Sequence, residues 1–206
     1  MSASTPPIRV VLFDVGGVLV QLSGVATVMS WVADRWTPAD VWHRWLHSPA
    51  VRAFETGRSD AETFAADLVA ELQLGVEPAL FLDSFAGWPS GLFPGVHDLV
   101  ARLPRHVTPA LLSNSNSLHW PRVLDDFGLG SLFEHRFVSH LTGFIKPDRA
   151  AFEHVIRTLG CEPSSVFFLD DNLVNVEAAR SAGMQGAHVV GVEGAECALR
   201  TAGVIS

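Results

Sequence analysis

The stretch VVLFDVGGVLV, residues 10–20, ends an apolar run on a single acid, Asp14, and turns at once through Gly16 and Gly17. Apolar residues without alternation read as a strand buried on both faces, the kind that builds a parallel sheet. A carboxylate at the C-terminal tip of such a strand faces the crevice where open parallel sheets bind ligands. The plainer reading of Asp14 is a turn or helix-capping residue.

Working outward, three further runs repeat the pattern: VTPALLS (107–113), SVFFLD (165–170) and AHVVGV (187–192), with HRFVSH (135–140) as a weaker fifth. Helical patterns lie between them at 95–103, 117–127, 147–159 and 173–182. Pro147 is placed to open the third of these, and Gly160 and Gly183 to close the third and fourth. Strand and helix in alternation predict a doubly wound, parallel, Rossmann-like α/β sheet.

Residues 21–88 break the alternation, with several helical patterns and no convincing strand run. Thr37 before Pro38 reads as an N-cap and first-turn pair, and Ser59 with Glu62 fits a capping box. This divides the chain into an α/β core of residues 1–19 and 90–206 and a helical cap of residues 20–89. Trp31, Trp36, Trp42 and Trp45 crowd the first part of the cap, either as its core or with one ring facing the ligand. His43 and His47 share a helical spacing, but without a third ligand they read as one helix face. Arg52 and Arg58 are either solvated or available to a second anionic group of a substrate.

The composition narrows the class. Hydrophobic residues make up 48% of the 206 and charged residues 17%, as in a globular chain with a large core. A net charge of −8, with no basic stripe, argues against nucleic acid or an anionic membrane as partner. No apolar stretch reaches the ~18 residues of a membrane helix, and MSASTPPIR lacks the pattern of a secretory signal. Cys161 and Cys197 are expected to be reduced and buried, in a cytoplasmic protein. Of the 14 basic residues, Lys146 alone is lysine. A lone ammonium among guanidinium groups suits a compact point charge beside a phosphate or carboxylate, although codon bias accounts for it equally well.

Asp14, Ser113 and the pair Asp170–Asp171 all stand at the C-terminal tips of predicted strands, and Lys146 lies in a loop ahead of a helix. Three carboxylates in one crevice repel each other unless a cation lies among them. Oxygen donors of this kind suit a divalent metal, Mg²⁺ first of all.

Asp14 with Val18, Ser113 in LLSNSN, Lys146 in GFIKPD, and FFLDDNLVNVEAARSAGM occur in the order and spacing of the haloacid dehalogenase superfamily, which the chain resembles beyond its N-terminal tail. AFETGRSDAETF, LSNSN and FFLDDN are most similar to the branch of glucose-1-phosphate phosphatases and epoxide hydrolase N-terminal domains, with a C1 cap. The resemblance implies a Mg²⁺-dependent phosphatase acting on a small phosphorylated metabolite, such as a sugar phosphate. It implies Asp14 as the nucleophile forming an aspartyl-phosphate, with Ser113, Asn114 and Lys146 holding the phosphoryl group. Asp14, Asp170 and the Gly16 carbonyl would hold Mg²⁺. Asp171 would reach the metal or orient Lys146, and Asn175 would support both aspartates.

One position departs from the pattern: the family's second aspartate, which exchanges protons with the leaving oxygen and with water, is Gly16 here. General acid–base help is worth roughly 10²–10⁴ in rate, so its loss favours esters whose leaving group needs little protonation. His119 is a candidate substitute. Gly16 also admits a non-catalytic binding or regulatory domain. A dehalogenase would use the same Asp14 but has no need of a metal-binding LDDN.

Overall fold

The computed structural model describes residues 7–32 and 35–206. Among these residues are seven strands: β1 (Val10–Phe13), β2 (Val20–Leu22), β3 (Pro89–Leu92), β4 (Thr108–Ser113), β5 (His135–Val138), β6 (Val166–Asp170) and β7 (Gln185–His188). Five of them form a parallel sheet in the order β5-β4-β1-β6-β7. From β1 the chain moves outward through β4 to β5, then returns to the other side of β1 for β6 and β7. The order therefore reverses at β1, the place where a doubly wound sheet opens a crevice beyond its strand tips.

The unalternating strands are explained by burial on both sides. Val11, Phe13, Leu111, Phe167 and Leu169 pack into one apolar cluster, while Val10, Leu12, Ala110, Leu112, Val166 and Phe168 pack into another. Register brings the tips level. Phe13 pairs with both Leu111 and Leu169, so Asp14 follows on the rung of Asp170, with Ser113 one residue beyond.

Helices α1 (Gly24–Trp31), α2 (Pro38–His47), α3 (Pro49–Glu55), α4 (Ala61–Glu71) and α5 (Pro78–Ala86) lie between β2 and β3. They enclose an aromatic core of Phe54, Phe64, Phe81 and Phe85, against which Trp31, Trp36, Trp45 and Trp88 pack. Trp42 is 43% exposed. The strands β2 and β3, absent from the sequence expectation, pair antiparallel as a short stem through which the chain leaves and re-enters the sheet region. Trp88 leads into this stem, and Pro89 and Gly91 lie within it.

Thr37 caps α2 as the sequence indicates, with a capping box closed by Asp40. The α4 cap is Asp60, not Ser59: its carboxylate accepts from the Thr63 N–H at 2.8 Å, and a carboxylate one residue later displaces the weaker hydroxyl.

Beyond the stem come α6 (Val96–Ala101), α7 (Arg149–Leu159), α8 (Leu173–Ser181) and α9 (Gly191–Thr201). The pattern at 117–127 is a single turn, His119–Pro121, running into a π-helical segment, Arg122–Asp126. Pro147 precedes α7, whose N-cap is Asp148. The strand expected at 187–192 ends at His188, and Gly191 opens a helix the sequence reading missed. Two glycines and two adjacent valines concealed it, although Val192, Ala195 and Leu199 share its buried face. Cys161 and Cys197 are both free thiols, and Cys197 is exposed on this helix, against the expectation of burial.

Candidate active site

The C-terminal tips of β1, β4 and β6 deliver Asp14, Ser113 and Asp170 to one place, and all three are buried. Lys146 reaches them from the loop after β5. Its Nζ donates to Asp14 Oδ1 and to Asp170 Oδ2, both at 2.7 Å, with only 2% of its side chain exposed. The lone lysine therefore bridges the two strand-tip acids. Burial works to lower its pKa, but Asp14 and Asp170 outweigh that and raise it, so the ammonium stays charged.

Asp170 is held from two other directions. It accepts from Asn175 Nδ2 at 3.0 and 3.1 Å and from the Asn172 backbone N–H at 2.8 Å. Asn175 lies on the buried side of α8, which explains how a helix residue serves the sheet tip. The Asn114 side chain accepts from the Lys146 N–H and donates to the Lys146 carbonyl, each at 2.9 Å. Its amide thus fixes the lysine loop, a role the spacing alone did not indicate. The Ser113 hydroxyl, at the tip of β4, has only a 3.4 Å contact to the Asn114 carbonyl.

Asp171 stands beside the second glycine of the opening stretch. A Cβ on Gly17 would fall 2.0 Å from Asp171 Oδ2, and Gly17 has φ +73°, so this position excludes side chains on two counts. The ion pairs of Lys146 go to Asp14 and Asp170 and not to Asp171.

Asp14, Asp170 and Asp171 each offer an oxygen within 4.8 Å of the others. Burial pushes Asp14 up, Lys146 pulls it down, and Asp170 and Asp171 push it up again, to about 8. Burial and then Asp170 likewise raise Asp171 to about 6. Three carboxylates facing one ammonium leave two negative charges uncompensated. Clustered hard oxygens with that deficit fit a divalent cation, which would return Asp14 to its ionised, nucleophilic form.

His119 cannot act as the substitute acid. Its Nε2 donates to the Phe85 carbonyl at 2.6 Å, its Nδ1 lies 3.2 Å from Asn116 Nδ2, and burial depresses it to about 4. It is a neutral tie between the core and α5. Arg52 pairs with Asp148, and Arg58 donates to Thr56 Oγ1 at 2.9 Å. His43 and His47 stack on one face of α2. The residue sequence reasoning missed is Glu55, at the end of α3, whose carboxyl group feels the Lys146 charge. AFETGRSD carried it in view, but nothing in the spacing says that an acid there feels the charge of a distant loop.

A parallel sheet with a lysine-bridged pair of strand-tip aspartates and an inserted helical unit defines a hydrolase of the haloacid dehalogenase type. Residues 8–183 match the haloacid dehalogenase-like hydrolase family, and the chain belongs to it. It is 29% identical to phosphoglycolate phosphatase 1 of Pseudomonas aeruginosa over 86% of its own length and 67% of that protein's. A sesquiterpene phosphatase of Aspergillus oryzae is 41% identical over 28% of this chain, a stretch that is 30% of the relative. Among solved structures, a haloacid dehalogenase family enzyme of Bacteroides thetaiotaomicron, in complex with magnesium and inorganic phosphate, superposes with a TM-score of 0.69. It covers 88% of this chain and 94% of its own at 21% identity, a likeness of fold.

Proposed function

We propose that the protein is a Mg²⁺-dependent phosphatase that hydrolyses a small phosphate monoester through an aspartyl-phosphate on Asp14. The observation that carries this reading is Lys146 Nζ at 2.7 Å from both Asp14 and Asp170 at the tips of adjacent strands. An inert scaffold gains nothing from burying two carboxylates around one ammonium, because the desolvation cost offsets the attraction.

Asp14 Oδ attacks phosphorus, the ester oxygen leaves, and water then cleaves the acyl phosphate to restore Asp14. Lys146 and the Ser113 hydroxyl hold phosphoryl oxygens and spread the charge that grows on them. Asn114 keeps the Lys146 loop in register, and Asn175 keeps Asp170 facing the crevice. Asp14, Asp170, Asp171 and the Gly16 carbonyl would hold Mg²⁺, which supplies Lewis-acid polarisation of the phosphoryl group when bound. The non-catalytic alternative finds no support in a site that keeps Asp14, Lys146 and Asp170 together. A dehalogenase leaves Asp171 and its neighbours unexplained.

Phosphoglycolate and sugar phosphates head the panel of candidate esters, the first from the relatives and the second because an anomeric oxygen leaves with little protonation. The test is phosphate release from this panel with Mg²⁺ and with EDTA, in the native protein and in Asp14→Asn. Release that depends on Mg²⁺ and vanishes in the variant is expected. Release that survives Asp14→Asn would rule out the covalent route.

A further inference from the structure

Gly16 leaves the crevice without the carboxylate that would serve both the leaving oxygen and the incoming water, and His119 is committed elsewhere. The cap offers a replacement. Helix α3 ends at Glu55, between two points where the cap is tied to the core. On one side, Arg52 pairs with Asp148, two residues beyond Lys146. On the other, the turn at Gly57 closes against the core so tightly that a Cβ there would fall 2.5 Å from the His140 carbonyl oxygen. Phe54, 1% exposed, anchors the same turn in the aromatic core of the cap. Glu55 thereby lies in a turn docked on both sides against the segment that carries Lys146, at Asp148 and at His140.

Its carboxyl group makes no hydrogen bond or ion pair among the described residues, although every other acid near the crevice is engaged or clustered. The charge that acts on it is that of Lys146. On its own element, Arg52 is taken by Asp148 and Arg58 by Thr56, and His140 in the facing turn is kept neutral by burial. We propose that Glu55 is the general acid and base of the phosphatase reaction, delivered by the cap in place of the carboxylate that Gly16 lacks. The proposal rests on the phosphatase reading above.

The proton balance closes with Glu55 alone. In the first half, Asp14 Oδ bonds to phosphorus, the phosphorus–ester oxygen bond breaks, and the Glu55 proton passes to the leaving oxygen. In the second half, the Glu55 carboxylate takes a proton from water, the water oxygen bonds to phosphorus, and the bond to Asp14 breaks. Phosphate departs, and Glu55 is again protonated. Burial lifts Glu55 against the opposing pull of Lys146 to about 7, so both of its forms are populated near neutral pH, as this double duty requires.

The experiment compares native protein with Glu55→Gln on an alkyl phosphate and on p-nitrophenyl phosphate, whose leaving group needs no proton. On the alkyl ester kcat is expected to fall roughly 10²–10⁴-fold, with loss of the pH limb nearest neutrality. On p-nitrophenyl phosphate the variant should keep a burst of nitrophenolate and then stall, with phosphate trapped on Asp14 and visible by intact-protein mass. Equal losses on both esters, no burst, and a native pH profile would make Glu55 a cap-positioning residue and overturn the proposal. If Glu55→Gln does not fold, Glu55→Asp decides: a displaced pH limb supports the role, and an unmoved one refutes it. A native protein that releases phosphate from no ester defeats the phosphatase reading itself and takes this proposal with it.

Discussion

Replacing Lys146 by Met removes the one cation that the crevice carries while keeping most of the side chain's bulk. Asp14 and Asp170 lose their partner at 2.7 Å, and their oxygens face each other within 4.8 Å. Two unit charges at that separation repel by about 3.5 kcal/mol at an effective dielectric constant near 20. That agrees with the roughly 3–5 kcal/mol lost when one partner of a buried ion pair is removed. For a chain of 206 residues it corresponds to a drop in Tm of about 7–14 °C.

The loss depends on pH with a definite sign. Asp14 titrates at about 8 in the folded protein against 3.8 for the free side chain, so between these values the folded state holds a proton that the unfolded state has released. Stability therefore falls as pH rises through that window. Without Lys146, Asp14 climbs further, so the variant goes on losing stability above about pH 8, where the native protein levels off, and its deficit widens there. Thermal melts of both proteins in EDTA, at pH 5, pH 8 and about pH 9.5 and then with added Mg²⁺, measure all three effects. Mg²⁺ should recover part of the loss, and more of it at pH 8. A variant that melts within about 2 °C of the native protein in EDTA at pH 8 would refute the electrostatic account, because that shift is no more than about 1 kcal/mol.

Other substitutions separate the remaining parts of the site. Gly16→Asp in the Glu55→Gln background should raise turnover of alkyl phosphates at least about tenfold by returning a proton-exchanging group; the new Cβ meets only the flexible tip of Leu22, at 2.8 Å. No gain in steady-state kinetics would mean that this crevice cannot use an acid at that position. Gly57→Ala forces φ +70° on a residue with a Cβ and drives that Cβ into the His140 carbonyl, so kcat/KM should fall at least about tenfold or stability by about 2 kcal/mol. A variant matching the native protein in both activity and melting would show that the cap does not rest on this turn. Asp14→Asn should abolish turnover and leave no acid-labile phosphate on the protein after exposure to substrate, as read by mass.

Much of the core was legible because its signals are local. Four unalternating apolar runs identify buried parallel strands, and an acid or hydroxyl directly after such a run must stand at a strand tip. Asp14, Ser113 and Asp170 follow from that alone. Local signals failed where two of them competed or where partners were remote in sequence. Ser59 lost the α4 cap to Asp60, and glycines and valines at 189–194 hid the start of α9. The Asn114 side-chain amide is spent on the backbone of Lys146, 32 residues away, a partner no local pattern indicates.

By itself, the sequence determined that an α/β sheet carries a helical insert and that acids end its strands, because strand burial and chain order are written in short-range patterns. Only the tertiary structure decided that Lys146 bridges Asp14 and Asp170, that His119 is closed off by Phe85, and that α3 docks beside the lysine loop through Arg52 and Asp148. Those are relations between segments whose separation in space depends on crossovers and on the docking of one layer upon another. No short window of residues encodes such distances, and they set the charge balance on which the chemistry rests.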